Sequence, residues 1–120
     1  MILTIKGQLP GLNEYTRACR THYILGANMK ADAEQLITLF INNQHLEPVK
    51  GKYRVFITWY EPNNKRDSDN VYFAKKFILD ALVKAGIVEG DSRKYVNEFR
   101  DVIKTDKENP RIVVEIETIK

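Results

Sequence analysis

The chain has 120 residues and a mass of 13.9 kDa, which is one domain's worth of sequence, residues 1–120. With 43% hydrophobic and 29% charged residues, no apolar run of membrane-spanning length, and Cys19 as the one cysteine, the composition excludes a membrane protein, a disulfide scaffold, a zinc finger and a disordered tail. The N-terminal stretch carries Lys6 and lacks the apolar run of a signal peptide, so the expected compartment is reducing and intracellular, the cytoplasm. The net charge of +3 sets a mild leaning toward a polyanionic partner.

Met1 to Lys6 alternates Met1, Leu3 and Ile5 against Ile2, Thr4 and Lys6 and reads as a strand. Gly7 to Gly26 has no clean period and reads as a long, functional loop. Asn28 to Asn43 reads as a helix through Ala33, Leu36, Ile37, Phe40 and Ile41. Lys52 to Tyr60 is a strand with Tyr53, Val55, Ile57 and Trp59 on one face, and Trp59 belongs to the core. Glu61 to Arg66 is a polar turn. Asn70 to Ala85 is a second helix with Asp69 or Ser68 as N-cap and Gly86 just past its end. Tyr95 to Lys104 is a third strand, Thr105 to Pro110 a turn, and Arg111 to Ile119 a β-branched final strand.

The order is β-α-β-α-β-β. The class is α+β, a single mixed sheet of about four strands with two main helices packed against it. The last two strands are expected to form an antiparallel hairpin, and the first β-α-β stretch leaves parallel or mixed pairing open.

The chemistry-bearing segment is Lys65 to Tyr95. Asp67 and Asp69 stand two apart between a strand and a helix, beside Lys65 and Arg66, and Asp91 follows in the next loop. Two such carboxylates converge on a hard cation if the backbone turns there, and a third completes an oxygen-rich Mg²⁺ site with open water positions. Capping is the plainer role for an aspartate before a helix, worth ~1 kcal/mol. Lys76, seven residues after Asp69, falls within ~20° of the same helix face and ~10 Å along the axis, whereas Lys75 lies ~120° away. Asp80 is placed for an i, i+4 ion pair with Lys76 or Lys84.

The run Asp67-Ser68-Asp69-Asn70, then Lys76, Asp80-Ala81-Leu82, Lys84-Ala85-Gly86-Ile87 and Asp91-Ser92, resembles the RusA family of Holliday junction resolvases, small endodeoxyribonucleases frequent in phages and prophages. Leu12-Asn13-Glu14-Tyr15 resembles that family's N-x-Y segment after the first strand. Two departures stand out. About three extra residues, close to one turn, separate Asn70 from the lysine, and the family's D-D pair is Gly90-Asp91 here, with Glu89 one step earlier.

The resemblance implies a homodimeric nuclease that nicks four-way junction DNA symmetrically, in recombination and repair. It implies Asp67, Asp69 and Asp91 as ligands of catalytic Mg²⁺, with Mn²⁺ as a substitute, and Lys76 as the phosphate-contacting residue. Glu89 is a substitute ligand in this scheme. The basic residues Lys65, Arg66, Arg17, Arg20, Lys75 and Arg93 are candidates for the DNA surface. The rival readings are a non-catalytic nucleic-acid-binding module whose acids only cap a helix, and a metal-dependent phosphohydrolase. The lack of a Gly-rich phosphate cradle counts against the second.

Overall fold

The computed structural model describes residues 1–119. Four strands, β1 (Ile2–Lys6), β2 (Tyr53–Glu61), β3 (Phe99–Thr105) and β4 (Arg111–Thr118), form one sheet in the order β1-β4-β2-β3. The helices are α1 (Leu12–Thr21), α2 (Tyr23–Asn43), α3 (Ser68–Tyr72) and α4 (Lys75–Lys84). The architecture is α+β with a mixed sheet, as expected. β4 runs antiparallel to both β1 and β2, and β2 pairs in parallel with β3 through the α3–α4 crossover.

The expected hairpin between the last two strands does not form. β4 buries Ile112, Val114 and Ile116 and takes a central place between β1 and β2, while β3, exposed at both ends, takes an edge. A strand with a fully apolar inner face stabilises more when it is flanked on both sides. β3 also begins later than the alternation of Tyr95 to Lys104 implied. The Tyr95 and Val96 amides donate to the Ser92 carbonyl and close a turn, after which Val55 N–H donates to Glu98 and the parallel ladder begins.

The segment Gly7–Gly26 is not a loop. It contains α1 and the first turn of α2, which starts at Tyr23 instead of Asn28. Glycine misleads here in two ways. Gly11 is the N-cap of α1, and the Glu14 carboxylate accepts its amide at 3.4 Å. Gly26 lies inside α2, where any Cβ would collide with the Cys19 Sγ of α1. Cys19 therefore has a packing role against α2, although α1 itself buries no residue.

The helices cover one face of the sheet. Leu3, Ile5, Tyr53, Val55, Ile57, Trp59 and Val114 meet Ile37, Phe77, Ile78 and Leu82 in a single core. The long second helix of the sequence is divided. After α3 the Ala74, Lys76 and Phe77 amides donate to the carbonyls three residues back, at 3.3, 3.2 and 3.0 Å. This tighter winding re-phases α4 relative to α3.

Candidate active site

β2 delivers the chain to a short turn in which Arg66 is fixed. Its Nε and Nη2 grip the buried Glu61 carboxylate at 2.9 and 3.0 Å, and Nη1 donates to the Leu9 carbonyl at 3.0 Å. The same Nη1 lies 3.4 Å from Glu14 of α1. Arg66 thus ties β2 to the entry of α1, a bidentate geometry that lysine cannot supply. Its neighbour Lys65 is exposed.

Asp67 is the N-cap of α3, one or two positions before the expected cap, and its carboxylate makes no capping hydrogen bond. Asp69 lies in the first turn and accepts the Asn70 amide at 3.0 Å. Both aspartates are exposed, and neither forms an ion pair among the described residues. Asn70 turns inward. Its Oδ1 accepts the Asn13 amide at 2.9 Å, and Gly11 packs so closely that a Cβ there would sit 2.5 Å from that oxygen. Tyr15 then packs tilted on Phe73 and edge-on against Phe77, with ring centroids 5.2 and 5.7 Å away. The Leu12–Tyr15 segment and the Asp67–Asn70 segment, more than fifty residues apart in sequence, are locked together.

The two adjacent lysines part company at α4. Lys75 turns to the sheet, where its ammonium is 2.6 Å from Asp101 Oδ2 and 4.5 Å from the Phe99 ring centroid. The other Asp101 oxygen accepts Trp59 Nε1–H at 3.0 Å. Lys76 is 61% exposed, donates to Asp80 at 3.2 Å and lies 3.9 Å from Asp91. Hydrogen bonding to Asp80 and then the Asp80 charge raise the Lys76 pKa above its ordinary value against desolvation, with lesser help from the charges of Asp91 and Glu34.

Two further lysines stand beside it. Lys30 of α2 is 3.6 Å from Asp80, and Lys84 is 3.0 Å from the buried Glu34. Lys30, Lys76, Lys84, Asp80 and Asp91 line one open cleft of about 330 Å³. Lys30 and Glu34 carried no signal in sequence, since they come from a different helix. Asp101 was hidden for a similar reason, because only the parallel β2–β3 register sets it beside Trp59 and Lys75.

Asp91 is carried on a loop anchored at the start of β2. Tyr53 Oη donates to the Gly90 carbonyl at 2.7 Å, and Glu89 accepts the Gly51 amide at 2.8 Å. Burial, then the Asp91 charge, pushes the Tyr53 phenol up to about 12. Gly90 rests on Tyr95, and a Cβ there would lie 2.7 Å from the ring. Any larger residue at position 90 would have to displace that ring.

Asp67 and Asp69 follow the end of β2, whereas Asp91 adjoins its start. No group of three His, Cys, Asp or Glu side chains able to hold a metal is gathered among the described residues. Mg²⁺ is commonly held by one or two carboxylates with water and substrate phosphates, and Asp67 and Asp69 supply that number of carboxylates. Asp91 is instead placed beside Lys76. Arg17 and Arg20 lie on α1 along an open groove, and Arg93 is exposed in the loop after Asp91.

No family model matches this chain, and no curated protein matches it.

Proposed function

We propose that this protein is a Mg²⁺-dependent endodeoxyribonuclease that resolves four-way DNA junctions by paired nicks, acting as a homodimer in the cytoplasm during recombination and repair. The observation that carries this reading is the Asp67 carboxylate: exposed at the N-cap position, without a cap bond or an ion pair. A carboxylate that serves only as a helix cap accepts an amide of the first turn. Asp67 does not, so it is available to a cation.

The locking of Leu12–Tyr15 onto Asp67–Asn70 adds support, because these are the two segments that resemble the RusA family. Asn70 and Arg66 fix the backbone that presents the two aspartates. A bound Mg²⁺ supplies charge neutralisation at the phosphoryl oxygens and an activated water. Lys76 offsets charge on the scissile phosphate, and Asp80 positions its ammonium. Lys30 and Lys84 extend the positive lining along the same cleft.

For the homodimer, α2 offers a surface. Leu25, Leu36 and Leu39 are exposed at 46%, 39% and 56%. With Met29 they recur at alternating three- and four-residue steps if Asp32 is counted, the spacing of a helix–helix seam. Among the described residues, no helix is long and apolar enough to cross a membrane.

The test incubates the protein with labelled four-way junction, linear duplex and a nucleoside monophosphate, with and without Mg²⁺ or Mn²⁺. Paired nicks in the junction, with metal only, are expected. Equal cutting of linear duplex, or no cutting of the junction at stoichiometric protein, would overturn the assignment.

A further inference from the structure

The sheet has a second face, which no helix covers, and its cross-strand register arranges the side chains there in rows. Lys6, Arg111, Tyr60 and Lys104 form one row across all four strands. Thr4, Val113, Thr58 and Val102 form the next, and Ile2, Glu115, Phe56 and Arg100 the third. With strands about 4.8 Å apart, the first row places three cations within ~14 Å.

Two of these cations are unpaired among the described residues, and the third is held in place by an acid. Lys6 and Lys104 are exposed and form no ion pair among the described residues. Arg111 is held over Tyr60, its Cζ 3.7 Å from the ring centroid, by Asp106 at 2.8 Å and the Asn109 carbonyl at 3.0 Å. Nη1 makes both of these hydrogen bonds, so Nε and Nη2 are not engaged by these two partners, and the side chain is 25% exposed. The guanidinium is thus ordered before any ligand arrives.

The other end of the face is different. Phe56, with Arg100 5.0 Å from its ring centroid, forms part of a cleft of about 720 Å³ with Ile2, Arg54, Glu98 and Glu115. The acids Glu98, Glu115 and Glu117 at this end repel phosphate, so an anionic chain is directed to the Lys6–Lys104 row. What the cleft provides is a planar ring and guanidinium for stacking, with acceptors at its rim for amino groups. Phe56 and Tyr60 are four residues apart on one strand, ~13 Å.

We propose that this helix-free face binds single-stranded nucleic acid, with phosphates along Lys6, Arg111 and Lys104 and a base stacked in the Phe56–Arg100 cleft. A cationic track beside flat stacking groups on an open sheet is the combination that single strands need, since their unstacked bases have free faces. A duplex hides those faces and has no use for the cleft. This surface lies opposite the helices that carry Asp67, Asp69 and Lys76, so the proposal stands apart from the nuclease reading.

The test measures fluorescence anisotropy of a labelled 12-nucleotide single strand and the matching duplex, in EDTA, over a range of salt. Lys6→Gln with Lys104→Gln is expected to weaken single-strand binding at least ~10-fold. The slope of log K against log salt should shrink by ~1.4, at ~0.7 per phosphate contact. Arg100→Ser is expected to weaken binding while leaving that slope unchanged. Lys50→Gln, exposed in the loop ahead of β2, should alter neither. Unchanged affinity in the Lys6/Lys104 variant, or duplex bound as tightly as single strand, would overturn the proposal. So would a loss of self-association by the same variants in sedimentation, which would assign the face to a second copy of the chain.

Discussion

At the scale of single residues, the outcome turns on which charges are free. Asp67→Asn is expected to abolish junction cleavage while leaving junction binding in metal-free buffer unchanged or tighter, because a negative charge facing DNA is removed. Wild-type cutting by this variant in a gel assay would end the metal-site assignment. Its melting temperature should barely move, since the carboxylate makes no cap bond. The lysines separate cleanly. Lys76→Ala should lower the single-turnover rate by ~10²-fold, the scale of losing one transition-state donor. Lys75→Ala should instead destabilise the fold by ~1–3 kcal/mol, because it strips the cation from the half-buried Asp101. The reverse ranking in paired rate and melting measurements would exchange their roles. The Lys76 pKa is raised, so its contribution to stability is complete below the ordinary lysine value and fades as pH climbs beyond it. Tyr53 gives a direct optical test. Its phenol is pushed up to about 12, so its share of stability is intact below the usual tyrosine value near 10 and is lost between there and 12. Ultraviolet titration of the six tyrosines should show a late tyrosinate step that disappears in Tyr53→Phe. A titration identical to wild type would remove the link between Tyr53 burial and the Asp91 loop.

At the scale of elements, the joint between α1 and α3 is the part of the fold on which the site depends most. Asn70→Ala deletes the acceptor for the Asn13 amide at a buried position and should cost about 1–3 kcal/mol. Gly11→Ala pushes a methyl group into the Asn70 oxygen and should be comparably harmful, with both losses read by denaturant melts. If the two substitutions together cost the simple sum of each, the joint is not a shared contact. The strands were the legible part of this chain. The alternation of Tyr53, Val55, Ile57 and Trp59 identified the buried face of β2 because period-two burial is a local property. The helix α1 was illegible because it buries nothing and because Pro10, Gly11 and Gly26 look like breakers. Only the tertiary partners Asn70 and Cys19 explain why two of those positions are glycine. The face argument for Lys76 assumed one continuous helix, and the tight turn at Phe73–Phe77 invalidates the angle. Even so, Lys76 is the outward lysine, because Phe99 and Asp101 hold its neighbour against the sheet. The acids were visible as a motif, but that Asp91 stands beside Lys76 and Asp80 and forms no three-acid group with Asp67 and Asp69 among the described residues follows from the tertiary arrangement, which no local pattern encodes.

At the scale of the whole molecule, each chain presents one pair of exposed aspartates and one lysine-lined cleft. Resolution of a four-way junction needs two matched nicks, and a two-fold dimer supplies the second site without further sequence. The exposed leucines of α2 fit that role. The helix is 21 residues long, about 31 Å, and Asn28, Gln35 and Asn42 flank the seam without charge. Asp32 is the middle residue of the seam, so an antiparallel pairing brings the two copies' carboxylates near each other and must leave both hydrated. Leu36→Glu with Leu39→Glu should therefore yield a monomer in sedimentation at micromolar concentration, with an unchanged far-ultraviolet spectrum, since both side chains are already exposed. The functional consequence is sharper than the mass. Mixed dimers with one Asp67→Asn subunit, assembled on a cruciform plasmid, should release nicked circles and few linear molecules, because one strand of each opposing pair stays intact. The Leu36/Leu39 monomer should likewise lose paired cutting while retaining the sheet-face binding of single strands. Linear product from the mixed dimer at the wild-type yield would mean that one subunit cuts both strands in turn. Paired nicking by a monomeric variant would remove the dimer from the mechanism altogether.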